Sequence, residues 1–440
     1  MTFFGVSFVF LSISSMILDR TLAPDFQAIQ SVNIPQVQHY TLDNGLSLHV
    51  VNVGEQPIIR LELIFEAGTW YEPSNGVSFF TMKMLSEGTT HYTSAQISEF
   101  FDQFGAFTEF GQGMDRAAFT LFGLTKHLSA LLPMVRELLE EAIFPTKELA
   151  DLQRITAQNL RVNLEKTAHV ATQTFMKQVF GSGHPYGKNL TFEAIEAINS
   201  DDLKAFYEQF IKNRPFSIFM SGMIGEQEIS LINKCLGCLA IRSATPVAKE
   251  TDIRSAPEQI MVEKPESVQS SIRMGKQLMT RQHPDFYKMV MLNEVLGGYF
   301  GSRLMRNIRE DKGFTYGISS QVAPLSRAGY WVIGTDVKKE HTNQTIDEIR
   351  KEIKQLQTEL VPADELETVK NFLSGEFAGS LNTAFEITDR YKIIILDKLP
   401  ANFYEQFIPT IRKVTSEEIL QMANTYLSLD SLHEVVVGGR

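Results

Sequence analysis

The sequence contains few cysteines and no run of basic residues. Its 440 residues include only two cysteines, Cys235 and Cys238. Two thiols cannot form a disulfide framework, nor can they alone supply the four ligands of a structural zinc site, so we interpret both as structural. The 41 Lys and Arg residues are outnumbered by 52 Asp and Glu residues, and a formal net charge of -11 would repel a phosphate backbone. We therefore expect no nucleic-acid partner.

Long apolar runs are also scarce, and the only one covers residues 3–18. A helix of that length would extend about 24 Å, short of the roughly 30 Å hydrocarbon core of a bilayer, so we expect no membrane span. The run lacks the basic start and the small-residue cleavage site of a signal peptide. We predict that residues 1–15 are an upstream mis-start, that translation begins at Met16 and that the protein is cytoplasmic. If residues 1–15 are genuine, the alternative is an exported or periplasmic protein.

The sequence contains an internal repeat. FPTKEL at residues 144–149 matches VPADEL at residues 361–366, with Pro, Glu and Leu in register at an offset of 217. INSDDL at residues 198–203 matches VTSEEI at residues 414–419 at an offset of 216. Two matches at nearly one spacing indicate a duplication of about half the chain.

Each half mixes strands with amphipathic helices. The alternating RLELIFEAG segment predicts a strand with Leu61, Leu63 and Phe65 on one face, and helices follow in the same half. SIRMGKQL and GYWVIGTDV predict strands in the second half. We predict an α+β fold of two homologous sheet-plus-helix domains in tandem. The expected order is an N-terminal extension at 1–30, a first domain at 31–238, a linker at 239–256 and a second domain at 257–440.

The segment GVSFFTMKMLSEGT, at residues 76–89, resembles the metal-binding helix of the pitrilysin/insulinase zinc peptidases, which are of the inverzincin type. That family's helix reads Gly, two residues, His-x-x-Glu-His, apolar residues and Gly-Thr. Its two histidines at i and i+4 lie on one helix face and hold zinc, while the Glu acts as the base for a zinc-bound water. In this sequence Phe79, Met82 and Lys83 stand at the positions of the first His, the Glu and the second His.

These substitutions are incompatible with zinc binding. Phe79 offers no donor atom, the thioether of Met82 suits softer metals, and the ammonium group of Lys83 repels a cation. The resemblance places the third ligand, a Glu, on a later helix; the corresponding window at residues 155–161 contains no acid, and Gln158 or Asn159 occupies the position. We therefore expect no metal and no cofactor in this chain.

The resemblance continues through three further segments. Near Glu109 the family usually has an Asn, which is absent here, whereas Asp115 fits the pattern. The HPYGKNL segment contains His184, for which we favour a turn over a catalytic role. LNEVLGGYFGSRLMRNIREDKGFTYG, at residues 292–317, resembles the signature of the family's C-terminal domain.

In the resembled family, an Arg and a Tyr at the positions of Arg309 and Tyr316 reach the zinc site and hold the substrate carbonyl. A phenol and a guanidinium are suitable donors to a developing oxyanion. Gly297 and Gly298 form either a loop near the substrate or a simple helix C-terminal cap.

The resemblance implies a chain of the mitochondrial-processing-peptidase type, which supplies two of the four domains of a peptidase chamber. We expect a non-catalytic subunit of a heterodimeric zinc endopeptidase that cleaves unfolded peptides. Its partner would be a homologous chain with an intact His-x-x-Glu-His motif, and the zinc would lie in that partner. Two alternatives stay open: a structural or peptide-holding assembly subunit, and a self-sufficient metallopeptidase with an unrecognised metal site.

Overall fold

The computed structural model describes Thr21, residues 27–242 and residues 256–439. The predicted mis-start at 1–15, most of the predicted extension and linker residues 243–255 lie outside the described residues. The strands are β1 Gln38–Thr41, β2 Ser47–Asn52, β3 Ile58–Phe65, β4 Phe107–Gln112, β5 Ala117–Leu124, β6 Ser217–Gly222, β7 Gln259–Glu263, β8 Gln269–Leu278, β9 Thr315–Pro324, β10 Gly329–Lys338 and β11 His433–Gly438.

The helices are α1 Val77–Met84, α2 Ser94–Gln103, α3 Leu128–Glu140, α4 Thr146–Glu165, α5 Thr167–Phe180, α6 Phe192–Ala197, α7 Ser200–Phe210, α8 Glu226–Leu236, α9 Phe286–Asn293, α10 Thr342–Thr358, α11 Ala363–Gly379, α12 Ala384–Leu396, α13 Phe407–Lys413 and α14 Ser416–Tyr426. Two π-helical segments, Glu294–Gly298 and Met305–Asp311, follow α9.

The two halves contain sheets of the same topology, apart from the additional edge strand β1 in the first. The first sheet has the strand order β1-β2-β6-β3-β5-β4, and the second has the order β7-β11-β8-β10-β9. In each sheet one pair is parallel, β2 with β6 and β7 with β11, while the other pairs are antiparallel. The predicted duplication and the predicted α+β class are therefore confirmed. Strands β4 and β9 form equivalent free edges.

Each half contributes a helix that covers the other half's sheet. Helix α5 of the first half packs on β8 and β11, and α12 of the second half packs on β2 and β6. Beneath α5, Phe175 and Phe180 share an apolar cluster with Val435 and Val437. This exchange buries apolar area across the boundary between the halves and so joins them into one body.

Charged residues on β3 lie beneath the exchanged helix α12. Arg60 and Glu62 are almost fully buried on the strand face opposite Leu61. The guanidinium of Arg60 donates to Asp389 at 2.9 Å, and the ammonium of Lys392 donates to Glu62 at 2.6 Å. Each buried charge has an opposite charge within hydrogen-bond distance. These ion pairs therefore fix the position of α12 on the sheet in addition to its apolar packing.

A second polar contact joins the halves just before the start of β5. The carboxylate of Asp115 accepts hydrogen bonds from the hydroxyl of Tyr186 and from the Arg327 guanidinium, the latter at 2.9 Å. The backbone N–H of Ser326 donates to the same carboxylate at 3.0 Å. Asp115 is 8% exposed, so this carboxylate is a buried junction between the two halves.

Candidate functional site

Helix α1 is held in place at its first turn by a buried carboxylate. Glu72 Oε2 accepts hydrogen bonds from the backbone N–H groups of Gly76 and Ser78, each at 3.2 Å. A negative charge is favourable here because it faces the unpaired N–H groups and the positive end of the helix dipole. Gly76 has a φ of +94°, and a Cβ atom there would lie 2.7 Å from Leu190 Cδ1. The framework of the predicted metal-binding helix is therefore intact.

The three chemical positions on α1 are occupied by side chains that cannot bind zinc. Phe79 is half-buried, with its ring 5.3 Å from that of Phe80. Met82 is 0% exposed and belongs to the core of the first half, whereas Lys83 is exposed. The central position of the resembled site is thus packed into the core.

The third ligand position on α4 is equally unsuited to zinc. Gln158 and Asn159 are both exposed, and the adjacent Leu160 is buried. Among the described residues, no group of three or more His, Cys, Asp or Glu could hold a metal ion. The residues present do not fit the zinc ion of the resembled family.

The structure brings Arg309 and Tyr316 together. Arg309 lies in the π-helical segment Met305–Asp311, and Tyr316 lies on β9 after the turn at Gly313, whose φ is +64°. The guanidinium carbon of Arg309 is 5.7 Å from the centroid of the Tyr316 ring. Tyr316 is 93% exposed. Within the described part of the chain, neither side chain has a hydrogen-bond or ion-pair partner, so their donors are free to bind a ligand.

A third aromatic residue, Phe300, completes this cluster. Its ring centroid lies 4.5 Å from the guanidinium carbon of Arg309, and its side chain is 62% exposed. A guanidinium held against two aromatic faces gains about 0.5–1 kcal/mol per contact at an exposed site and loses rotational freedom. Phe300 therefore orients Arg309. The sequence offered no signal for it, because Phe300 follows the two glycines without helical or strand periodicity.

Strand β9 presents backbone groups and a groove beside Tyr316. Among the described strands it pairs only with β10, so its outer edge has no neighbouring strand. Part of that edge is satisfied by side chains, because Asn293 donates to the Ser320 carbonyl at 3.2 Å and Arg281 donates to the Pro324 carbonyl at 3.3 Å. A groove of about 530 Å³ lies between α5 of the first half and strands β8, β9 and β10. Tyr316 lines the groove together with Phe175 and Met176 of α5. This arrangement can accept an extended segment of another chain.

The two glycines of the predicted loop lie in the π-helical segment Glu294–Gly298. A Cβ on Gly297 would lie 2.8 Å from Ser320 Oγ, so this glycine permits close packing of the segment on β9. A Cβ on Gly298 would lie 2.4 Å from Glu294 Oε1, so this glycine leaves room for the Glu294 carboxylate. Both glycines have packing roles, and a contact with substrate stays a prediction.

Glu294 makes the stability of the protein depend on pH. Burial and, secondly, the charge of Glu376 raise the pKa of Glu294 to about 7. Between the ordinary value and about 7, the folded state holds a proton that the unfolded state has released, so stability falls as pH rises through this window. Removing the charge with Glu294→Gln should stabilise the protein at pH 8, on the order of 2 kcal/mol, and have little effect below pH 4.5. Arg281 and Arg390 line the same cavity but do not contribute to the pKa shift of Glu294.

Thermal melts of the wild type and the variant at pH 4.5 and pH 8 would measure this difference. A variant with the same advantage over the wild type at both pH values would contradict it.

His184 and the two cysteines have structural contacts. Nδ1 of His184 accepts a hydrogen bond from the Tyr186 backbone N–H at 3.0 Å, and its ring stacks on Phe180. Burial lowers the pKa of His184, which keeps the ring neutral and able to accept this bond. Cys235 and Cys238 are both free thiols, and burial raises the pKa of Cys235 to about 11. A thiol with so high a pKa is a poor nucleophile.

Two family models match the chain. The model described as "Insulinase (Peptidase family M16)" matches residues 51–189, and "Peptidase M16 inactive domain" matches residues 197–373. The chain belongs to the insulinase family. The first match includes strands β3, β4 and β5 and the degenerate helix α1, and the second runs from α7 through β10 into α11.

Proteins from several bacteria are similar to the chain over most of its length. "Uncharacterized zinc protease YmxG" of Bacillus subtilis (strain 168) is 21% identical over 351 residues, which cover 79% of this chain and 85% of that protein. "Non-peptidase homolog YmxG" of Helicobacter pylori (strain ATCC 700392 / 26695) is 22% identical over 396 residues, which cover 87% and 90%. The crystal structure of a peptidase M16 inactive domain from Pseudomonas fluorescens shares the fold. Its TM-score is 0.84 at 24% identity, and the match covers 92% of this chain and 98% of that one.

The described helices of this insulinase-family chain include none that is long and apolar enough to cross a bilayer. The chain belongs to the family but lacks the zinc ligands at the matching positions. Its residues therefore fit a non-catalytic, pitrilysin-like member.

Proposed function

We propose that this chain is a non-catalytic subunit of a heterodimeric zinc endopeptidase. Its partner is a homologous chain with an intact His-x-x-Glu-His helix, and the zinc belongs to that partner. One contrast carries the proposal. Helix α1 lacks every zinc ligand of the family, whereas the half-buried Arg309 and the exposed Tyr316 lie together, without hydrogen-bond or ion-pair partners among the described residues.

In this proposal Arg309 and Tyr316 act on a substrate held at the partner's zinc. The neutral hydroxyl of Tyr316 donates a hydrogen bond to the oxyanion that forms when water attacks the peptide carbonyl. Arg309 offers forked N–H donors, and the Phe300 ring fixes the plane of its guanidinium. Donors positioned before the reaction stabilise the developing charge without reorganisation, which is why a fixed guanidinium is effective.

The substrate proposed for the complex is an unfolded peptide. The edge of β9 has no neighbouring strand among the described residues, so its remaining backbone groups can pair with an extended peptide, and the groove beside Tyr316 can accept alternate side chains. Main-chain hydrogen bonds of this kind give affinity that depends little on sequence, while side-chain pockets give selectivity.

A second candidate function is a structural or peptide-holding subunit without a role in proteolysis. The stacking of Phe300 over one face of Arg309 favours it, because an aromatic contact alone can hold an exposed guanidinium. One relative is named a non-peptidase homolog, which agrees with this alternative. In that case Arg309 and Tyr316 would be dispensable for any turnover in the complex.

Affinity purification of the tagged full chain from its native cells tests the proposed pairing. We expect a chain of similar length with His-x-x-Glu-His to co-purify at a one-to-one ratio and to remain bound during size exclusion. Recovery of this chain only as a monomer or homodimer would contradict the heterodimer.

The same sample, digested with trypsin, shows whether Phe3–Leu18 is translated. The predicted cytoplasmic location depends on that result.

A further inference from the structure

The second half contains an aromatic cavity with two carboxylates. It has a volume of about 250 Å³ and lies between the segment that follows α9, helices α11 and α12, and the end of β9. The cavity reaches solvent beside Glu376, which is exposed. Its aromatic lining consists of Phe286, Tyr287, Phe377, Phe403, Tyr404 and Phe407.

One of the carboxylates lacks a partner. Glu294 Oε2 has no accessible surface and no hydrogen-bond partner among the described residues. Leaving a buried carboxylate oxygen unpaired is costly, and a cationic ligand in the cavity would lower that cost. Two arginines also line the cavity, and each is engaged by a side chain of this chain. Arg281 pairs with Asp397 at 2.7 Å, and Arg390 lies 5.5 Å from the centroid of the Tyr404 ring.

The two carboxylates occupy repeat-related positions. Strands β3 and β8 begin 211 residues apart, at Ile58 and Gln269, and the same offset relates Lys83 to Glu294. Helices α4 and α11 begin 217 residues apart, and that offset relates Asn159 to Glu376. The second half therefore has acids at the positions where the first half lacks its metal ligands.

We propose that this cavity binds the side chain of a lysine or arginine from an extended peptide, with the Glu294 carboxylate as its counter-charge. The inference rests on the peptide binding proposed above. It specifies that the cavity selects a basic side chain of the peptide. Aromatic faces attract organic cations, and Arg390 already occupies such a position against Phe377 and Tyr404. A metal ion is a poorer fit, because the described residues supply no third acidic, His or Cys ligand.

Strand β9 connects this cavity with the Arg309/Tyr316 pair. The pairing of β9 with β10 shifts register between Thr335 and Val337, so Tyr316 and Val322 lie on different faces of the sheet. Tyr316 lines the groove together with Ser319 and Gln321, whereas Val322 lines the cavity. A peptide that follows β9 presents alternate side chains to the two faces, so one side chain can enter the cavity while another contacts Tyr316.

Fluorescence anisotropy with two labelled peptides tests the inference. Both are unstructured and identical except at one central position, which is lysine in one and the neutral, similarly sized norleucine in the other. We expect the full-length wild type to bind the lysine peptide at least tenfold more tightly at pH 8, and the preference to shrink at pH 6. Glu294→Gln should abolish it, and Glu376→Gln should reduce it. Glu208→Gln, which removes an exposed charge from α7 in the first half, is the matched control.

The outcomes separate this inference from the proposed function. Equal binding of both peptides by the wild type, or a preference that survives in a folded Glu294→Gln variant, would overturn the basic subsite and leave peptide binding intact. If neither peptide binds the wild type, the basic subsite and the proposed peptide binding both fail. A thermal melt of each variant shows that it is folded.

Discussion

We expect the Arg309→Ala variant, assembled with the zinc-bearing partner, to cleave peptide about 100-fold more slowly than the wild-type complex. Removing one positioned donor to an oxyanion typically lowers kcat by about 100- to 1000-fold. Phe300 holds the Arg309 guanidinium in place before the substrate binds. Removing Arg309 should therefore weaken binding of the transition state more than binding of the substrate. The decrease should therefore appear in kcat, with a smaller change in KM. Tyr316→Phe, which removes only the hydroxyl, should also lower kcat.

Arg306→Ala provides the matched control. Arg306 lies on the same π-helical segment, is exposed, and donates to the backbone carbonyl of Gly301 at 3.2 Å. Its loss removes an equal charge at a neighbouring position, and turnover should change less than threefold. If Arg309→Ala and Tyr316→Phe both leave turnover at the wild-type level, the chain is an assembly subunit and the trans-acting role is wrong.

The Asp115→Ala variant should lose about 3 kcal/mol of unfolding free energy. Asp115 is buried at the boundary between the halves, where it accepts hydrogen bonds from Tyr186, Ser326 and Arg327. Truncating one partner of a buried charge pair typically costs about 3–5 kcal/mol, because the remaining charge is left unpaired. Arg327 also lies 4.3 Å from the Trp70 ring centroid. Because this contact still stabilises the Arg327 guanidinium in the variant, we expect a loss at the lower end of that range. Urea unfolding followed by tryptophan fluorescence measures the change.

Asp151→Ala is the control for this experiment. Asp151 forms an exposed pair with Arg154 on α4 at 3.0 Å. Pairs of this kind contribute about 0–1 kcal/mol, so the variant should unfold close to the wild type. Equal stability of the two variants would show that the Asp115 junction does not hold the halves together.

Local patterns in the sequence predict the strands well. Residues 329–337 lie within β10 as predicted, and Leu61, Leu63 and Phe65 all lie on the core face of β3. The repeat also predicts the second sheet, because equal spacing of equivalent segments implies equal topology. These features depend on side-chain alternation and on the order of elements, which a sequence contains directly.

The exchange of α5 and α12 could not be predicted in the same way. An amphipathic pattern shows that a helix has an apolar face, but it does not identify the sheet that covers that face. For the same reason Arg60 and Glu62 suggest a solvated face of β3, whereas α12 buries both.

The Arg309/Tyr316 pair was predicted from the resemblance, and the structure places the two side chains in contact. Phe300 and Glu294 were not predicted. Phe300 has no periodic neighbours, and Glu294 interrupts an apolar helix that otherwise indicates only a core. The cavity around Glu294 is formed by segments distant in the sequence, and the contact of Phe300 with Arg309 depends on how the chain folds back between them; residue types and spacing encode neither.

The most direct test of the division of labour is to measure zinc content and peptide turnover for this chain alone, for its partner alone, and for the two together. The account predicts less than 0.1 zinc per chain and no turnover for this chain, and strong activity for the mixture. Stoichiometric zinc together with peptide cleavage by the isolated chain would contradict it.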